Sequence, residues 1–187
     1  MSVRLRGPRV TLRPFRDGEF DALWAAETAD RGEYQAPVPD AEGHRDRLRQ
    51  RVASSGTWTR TELLLAIEAG GELVGDLQAR RDDQTMPPGV FEVGIGLFAG
   101  SRGGGVGTEA LGLLTDFLFG EEGARRVQLS TDVDNAAMRR AAEKVGYVLE
   151  GVLRDYWPAS NGEARDHTLY AITKADHEGN GRWTRAS

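Results

Sequence analysis

The sequence predicts a single mixed α/β domain, on three observations. Segments with period-two apolar alternation take turns with segments whose apolar residues recur every three or four positions. No stretch repeats another. The 187 residues, 39% hydrophobic and 28% charged, have a globular composition, and a chain of this size buries roughly 70% of its unfolded surface in one core. The domain is expected to span 1–174, followed by a polar tail over 175–187.

The elements follow in order from local pattern. A strand is expected near Arg9 to Arg13, then a helix from Glu19 to Ala29 with Phe20, Leu23 and Trp24 as its apolar stripe. Asp30 to Asp40 holds two prolines and a glycine and reads as a loop into an arginine-rich helix over Ala41 to Ala53. Strands are expected over Glu62 to Glu68 and Glu72 to Arg80, then a polar connection, then a strand from Val90 to Phe98. A helix reaching Phe119, a strand from Arg126 to Thr131 and a helix from Asp134 to Val145 come next. Tyr147 to Trp157 and Ala164 to Thr173 form a hairpin, with Asn161-Gly162 as its type I′ turn signal.

Composition excludes several classes of function. The chain has no cysteine, which removes disulfide frameworks, thiol catalysis and the usual structural zinc sites. A net charge of −5 supplies no global attraction to nucleic acid or to anionic membrane. No stretch approaches the ~18 apolar residues of a membrane span. Met1 to Val10 carries three arginines and a proline but no apolar signal region. A soluble cytoplasmic protein without nucleic-acid or membrane partners is expected. His44, His167 and His177 show no metal-ligand spacing; His167 reads as structural and the other two as surface residues.

Most of the functional information lies between Val90 and Tyr147. In the strand Val90 to Phe98, Phe91, Val93, Ile95 and Leu97 share one face and Glu92, Gly94 and Gly96 the other. Strand glycines mark close approach of a backbone or a ligand, so two of them beside a carboxylate suggest a lined slot. The strand is followed by Gly100-Ser-Arg-Gly-Gly-Gly-Val-Gly-Thr108 and a helix. A glycine-rich turn that opens a helix presents unpaired amides and the positive end of the helix dipole, an arrangement that binds phosphate. Arg102 adds a full charge at its lip.

Three phosphate motifs can be compared with these residues. A P-loop fails, because Gly105 is followed by Val106 and not by Lys-Ser/Thr. Gly105-Val-Gly107-Thr-Glu-Ala110 fits the dinucleotide fingerprint, with Asp132 in place of a ribose-binding acid. A doubly wound sheet needs more strand-helix-strand units than this chain offers, so a NAD-binding protein ranks second. The third motif, Arg102-Gly-Gly-Gly105-Val-Gly107, fits R/Q-x-x-G-x-G/A.

With this motif the sequence resembles the GNAT acetyltransferases, and most of all the branch of ribosomal-protein-alanine N-acetyltransferases, the Rim type. Val10-Thr-Leu-Arg-Pro14 followed by Asp17, Phe91-Glu-Val-Gly94 and Gly107-Thr-Glu-Ala110 are similar to that branch. So is Asn135-Ala-Ala-Met-Arg-Arg-Ala-Ala-Glu-Lys-Val-Gly-Tyr147, followed by Glu150-Gly151 and Leu153-Arg154. The resemblance implies a mixed, mostly antiparallel sheet of about seven strands flanked by about four helices, splayed between its fourth and fifth strands around acetyl-CoA, with no metal. On that basis Gly103, Gly104, Gly105, Val106, Gly107 and Thr108 receive the pyrophosphate with Arg102 beside them. An N–H near Leu97 or Phe98 faces the thioester carbonyl, as an oxyanion donor must.

The resemblance also places Asn135 and Met138 on the CoA arm. Met138 stands where the Rim branch often has serine, and Ala142 where other GNAT enzymes have a tyrosine acid. Neither side chain donates a proton, so water or a tyrosine elsewhere, Tyr156 or Tyr34, is left to protonate the thiolate. Glu92 is the expected base, acting through water from the glycine face. Tyr34, Asp155, Tyr156 and Trp157 are the expected acceptor contacts. The expected reaction is direct acetyl transfer to a primary amine, a protein N-terminus or a small molecule, without an acyl-enzyme, since there is neither a cysteine nor a G-x-S-x-G elbow. The missing acid keeps a non-catalytic acyl-CoA-binding module as the alternative, and a homodimer is expected by resemblance.

Overall fold

Eight strands, ordered β1-β2-β3-β4-β5-β6-β8-β7, form one sheet in the computed structural model, which describes residues 2–29, 41–82, 84–158 and 163–180. The strands are β1 (Leu5–Arg6), β2 (Val10–Arg13), β3 (Glu62–Ala69), β4 (Glu72–Arg80), β5 (Val90–Leu97), β6 (Arg126–Asp132), β7 (Val148–Pro158) and β8 (Ala164–Thr173). The helices are α1 (Glu19–Ala29), α2 (Ala41–Ala53), α3 (Val106–Gly120), α4 (Ala136–Val145) and α5 (Lys174–Asn180). Tyr34 and the Asn161-Gly162 turn lie outside the described residues. The period-two and helical segments of the sequence coincide with these elements. The extra strand is β1, whose two residues are too short to show a period.

The fifth helix, α5, occupies part of the segment expected to be tail. Thr173 and Asp176 form its capping box: the Asp176 carboxylate accepts from the Thr173 N–H (2.9 Å) and hydroxyl (2.6 Å), while the Asp176 N–H donates to Thr173 Oγ1 (3.3 Å). His177, expected at the surface, is instead buried, stacked on Phe119 at 4.5 Å with Nε2 2.7 Å from Asp116 Oδ1. Its neighbours along the chain are polar, so no apolar pattern announces this packing.

Three layers follow from the alternation of the strands. Leu63, Leu65, Ile67, Leu77, Ala79, Phe91 and Val93 point to one face, where α3 contributes Ala110, Leu111, Leu114 and Leu118 and α4 contributes Ala142 and Val145. The opposite face carries Leu64 and Ala66 under Leu23 of α1 and Leu48 of α2, all buried, and then turns polar along Asp76, Gln78, Arg80 and Glu92. Arg13, fully buried at the end of β2, is matched by Glu19 (2.6 Å) and Glu68 (2.7 Å). A buried guanidinium is tolerated where carboxylates take its donors.

All neighbouring strands are antiparallel except β5 and β6. These two pair in parallel only at Val90↔Arg126, Phe91↔Val127 and Glu92↔Gln128. Beyond that seam β5 stays with β4 as far as Leu97, and β6 stays with β8 as far as Asp132. The sheet therefore parts into a V that opens towards the C-terminal ends of both strands. It is the splay the sequence resemblance implies.

Candidate active site

The mouth of the V is bounded by the glycine-rich turn. A single 3-10 turn (Ala99–Ser101) leads to Arg102, and Gly103 (φ 87°) and Gly105 (φ 79°) then take left-handed conformations that favour glycine. Gly105 is the N-cap of α3 and carries no side chain to occupy the first turn, so the amides of Val106, Gly107 and Thr108 stay available. A Cβ added at Gly103 or Gly104 would meet nothing within 4 Å, so the turn is open to a ligand. One added at Gly107 would meet Leu97 Cδ1 at 3.2 Å and Ile95 Cδ1 at 3.7 Å. Gly107 thus lets α3 lie close on β5, and its α-carbon faces protein rather than ligand.

Glu109 holds this turn in place. Its Oε1 accepts from the backbone N–H groups of Arg9 (2.8 Å) and Val10 (3.0 Å), and its Oε2 from Arg9 Nε (2.9 Å). Arg9 also donates from Nη1 to the Gly104 carbonyl at 2.9 Å. The buried carboxylate ties the start of β2 to the start of α3, where it also complements the helix dipole. In the sequence Glu109 reads as an ordinary first-turn acid, because its partners lie about a hundred residues away.

On the β5 wall, the Phe98 N–H donates to the Val74 carbonyl at 2.9 Å. Phe98 is therefore not the oxyanion donor: β4 already uses its hydrogen. Alternation then turns the N–H groups of Ile95 and Leu97 away from β4 and into the V. Consistently, the Leu97 carbonyl accepts from Arg102 Nε at 3.1 Å. The glycine face of this strand is not bare either. Gly94 makes room for the side chain of Gln78, whose Nε2 would stand 2.9 Å from an added Cβ, and Gly96 for Asp76, whose Oδ1 would stand at 3.0 Å.

Asp76 is a half-buried carboxyl that sequence reasoning passed over as one polar residue of a thin strand. Burial away from water pushes it up to about 7; Arg51 opposes the shift, while Glu27 and Glu62 add to it. Arg51 donates to Glu62 (2.8 Å) and also to Gln78. Glu92 stands at the vertex of the V, in register with Gln128 and 3.3 Å from Arg80 Nη1. It lines a polar cavity of about 820 Å³ together with Arg51, Glu62, Arg80, Met86 and Gln128. The structure thus brings Glu92 and the open face of the V together, and keeps α3 and α4 on the opposite face.

The β6 wall carries Ser130 two residues beyond the vertex, level with Gly94, with Asp132 further out. In register behind them on β8 is His167. The hairpin partner β7 carries a bulge between Leu153 and Trp157, with Asp155 at φ 55° and its N–H donated to Asp166 Oδ1 at 2.8 Å. The bulge brings the consecutive rings of Tyr156 and Trp157 each to 5.5 Å from the His167 ring. Asp132 is held by Arg165 and accepts from the Asp134 N–H at 2.8 Å. Of the residues expected to contact the acceptor, Asp155, Tyr156 and Trp157 therefore stand together on this hairpin.

The α4 residues sit on the far side of the sheet. Asn135 is the N-cap, its Oδ1 accepting from the Met138 N–H at 3.1 Å. Met138 packs against the core and Ala142 is fully buried. Tyr147 is also sequestered, bonded to the Thr115 hydroxyl at 2.8 Å, and burial raises its phenol far above the ordinary value. No phenol on this helix or at its end can serve the V.

A parted parallel strand pair, backbone donors along one of its edges and a glycine-built helix start at its mouth suit an extended, phosphate-bearing ligand. Residues 9–148 match the Acetyltransferase (GNAT) domain, and the chain belongs to that family; it is an acetyl-CoA-dependent acetyltransferase. It is 23% identical over 174 residues to an uncharacterized N-acetyltransferase p20 of Bacillus licheniformis, covering 91% of this chain and 96% of the relative. Among solved structures it is similar to RimJ of Mycobacterium smegmatis in complex with CoA-disulfide, with 26% identity, a TM-score of 0.75 and 94% and 88% of the two chains covered. The ribosomal-protein-S5-alanine acetyltransferase of Vibrio fischeri shares the fold at 18% identity and TM-score 0.76, with 93% and 98% covered. No helix among the described residues is long and apolar enough to cross a membrane.

Proposed function

We propose that the protein transfers acetyl from acetyl-CoA directly to a primary amine in a ternary complex, the acceptor being a protein N-terminal α-amine or a small-molecule amine. The observation that carries this reading is the V itself. Unpaired amides at Gly103–Thr108 flank its mouth, the N–H groups of Ile95 and Leu97 point into it, and a polar cavity lies beside its vertex. The pyrophosphate is received at the turn, with Arg102 alongside. The pantetheine arm pairs with the β5 edge as an added strand would, and contacts Asn135 and Met138 on its other side. Leu97 and Ile95 offer the thioester oxygen its donors.

Glu92 takes the proton of the arriving ammonium through water, and Asp155, Tyr156 and Trp157, with Tyr34, contact the acceptor. An α-amine suits a carboxylate base. Its deprotonation at pH 7 costs about 1 kcal/mol, against about 4.6 kcal/mol for a lysine amine. The Rim-type neighbours named above support an N-terminal acceptor. A homodimer belongs to the same reading, supported by the exposed Val148, Leu149 and Val152 on the edge strand β7; light scattering showing a monomer at assay concentration removes it. The reading is tested by CoA release over a panel of N-terminal peptides and small amines. CoA binding by calorimetry with no thiol release across the panel would instead make the protein a non-catalytic acyl-CoA-binding module, as the apolar Met138 and Ala142 first suggested. Glu92→Gln should lower kcat roughly 10² to 10⁴-fold at neutral pH with acetyl-CoA affinity kept, and the deficit should shrink as pH rises towards the amine's own pKa. A profile parallel to wild type at every pH removes Glu92 from the role.

A further inference from the structure

Acetyl transfer moves two protons, and Glu92 accounts for one. The ammonium must lose a proton before it attacks. After attack, the nitrogen of the tetrahedral adduct carries a second surplus proton while the sulfur leaves as a thiolate that needs one. The helix positions that could have supplied an acid are a partly buried methionine and a fully buried alanine, neither with a proton to give. The β6 wall offers something else. His167 is 6% exposed, and its Nδ1 lies 3.5 Å from Ser130 Oγ. Its Nε2 is buried and has no hydrogen-bond partner among the described residues.

An orphaned buried imidazole nitrogen costs about 1–3 kcal/mol, which a leucine or phenylalanine packed against the same two rings would avoid. Packing alone therefore does not account for a histidine here. Ser130 is half-buried and faces the V at the level of Gly94, on the same side of the sheet as Glu92. A contact of 3.5 Å is long, and hydrogen bonds of this kind tighten when substrate closes the site.

We propose that Ser130 and His167 form a proton shuttle on the β6 wall, carrying the proton of the attacking nitrogen to the departing CoA sulfur. As the amine nitrogen forms its bond to the carbonyl carbon, its surplus proton passes to Ser130 Oγ while the Ser130 proton passes to His167 Nδ1. As the C–S bond breaks and its electron pair goes to sulfur, the same route runs backwards and sulfur receives the proton. The balance closes on amide and thiol with no other reactant. Ser130 touches the reacting atoms; His167 acts through it and is a positioning residue.

The surroundings suit a proton acceptor that is empty at neutral pH. Burial lowers the imidazole below its ordinary value, Asp132 pulls it back up and Arg165 pushes it down. Arg165 on β8, Asp132 on β6 and Tyr156 on β7 are the charged and titratable groups around the ring. The Asp132 carboxylate stabilises the imidazolium that forms transiently.

The inference rests on acetyl transfer, so two arms separate the failures. In the first, kcat is measured by CoA release with the panel amine of highest turnover. Ser130→Ala and His167→Gln should each lower kcat about 10²-fold with acetyl-CoA KM within threefold, the double variant should lose no more than either single one, and Ser130→Thr should recover most of the rate. The acidic limb of the wild-type kcat/KM profile should fall less steeply in His167→Gln, because the titrations of the Glu92 base and of the substrate ammonium remain while that of the imidazole is gone. Additive losses, an unchanged limb, or Ser130→Thr as poor as Ser130→Ala overturn the shuttle, whereas a wild type that releases no CoA with any amine overturns the acetyl-transfer reading. The second arm needs no turnover. Nitrogen-15 NMR of the histidines, with and without CoA, should show His167 neutral at pH 7 with its proton on Nε2; a proton on Nδ1, or an imidazolium, overturns the proposal.

Discussion

Removing the Glu109 carboxylate should separate two effects that its geometry combines. Oε1 alone receives both backbone donors, Arg9 N–H and Val10 N–H, while Oε2 receives the Arg9 side chain. In Glu109→Gln a carbonyl oxygen remains for both amides, and the loss is the contact with a guanidinium that is 60% exposed, so about 1 kcal/mol or less. In Glu109→Ala both amides lose their partner. At about 1–3 kcal/mol for each buried donor the cost is roughly 2–6 kcal/mol, which for a chain of this size lowers Tm by roughly 5–20 °C. Thermal and urea unfolding followed by circular dichroism measures both. The alanine variant should also bind CoA more weakly by calorimetry, because Arg9 and with it the Gly104 carbonyl lose their anchor. Equal destabilisation by alanine and glutamine would refute the reasoning, since it would mean that charge, and not the two orphaned amides, carries the effect.

Two further predictions concern the turn and the buried acid of β4. Gly105→Val puts a β-branched residue at φ 79° with its Cβ 3.0 Å from Arg9 Nη2, and should raise acetyl-CoA KM at least tenfold; Gly107→Val should instead lower Tm by pressing on Leu97, and an unchanged Tm would contradict the packing seen there. Asp76 is raised from 3.8 to about 7 by burial, so the folded state holds its proton more tightly than the unfolded state. Its effect is felt as stability lost while pH rises from about 4 to about 7, up to about 4 kcal/mol. Asp76→Asn should therefore unfold later than wild type at pH 8 and similarly at pH 4; no difference at pH 8 would show that the carboxyl is solvated.

The order of elements could be read from the chain because each rests on local pattern. The strand from Val90 to Leu97, the helix after the glycine turn and the two strands of the hairpin lie where local pattern puts them. What escaped is what depends on distant partners. Glu109 is defined by amides of β2, Asp76 by its burial and the Arg51 of α2 with the acids of α1 and β3, and His167 by a serine on one strand and two rings on another. The two strand glycines show the limit well. Their presence signalled close approach, but the approaching groups are Gln78 and Asp76 of the neighbouring strand rather than ligand. The choice between Leu97 and Phe98 likewise turned on which side β4 pairs, and no property of either side chain encodes that.

The donors inside the V belong to the main chain, and this sets what evolution can alter. Replacing Ile95 or Leu97 by another amino acid leaves its N–H where it was, unless the newcomer is proline. On the proposed reading the acyl donor is held by topology, by where two strands part and a helix begins, and the side chains there can drift so long as that parting survives. Solved relatives 18% to 26% identical to this chain nevertheless superpose on it with TM-scores near 0.75. The side chains of the bulged hairpin, which we propose contact the acceptor, have no such protection, so on that reading substrate preference can diverge while the acyl donor stays the same.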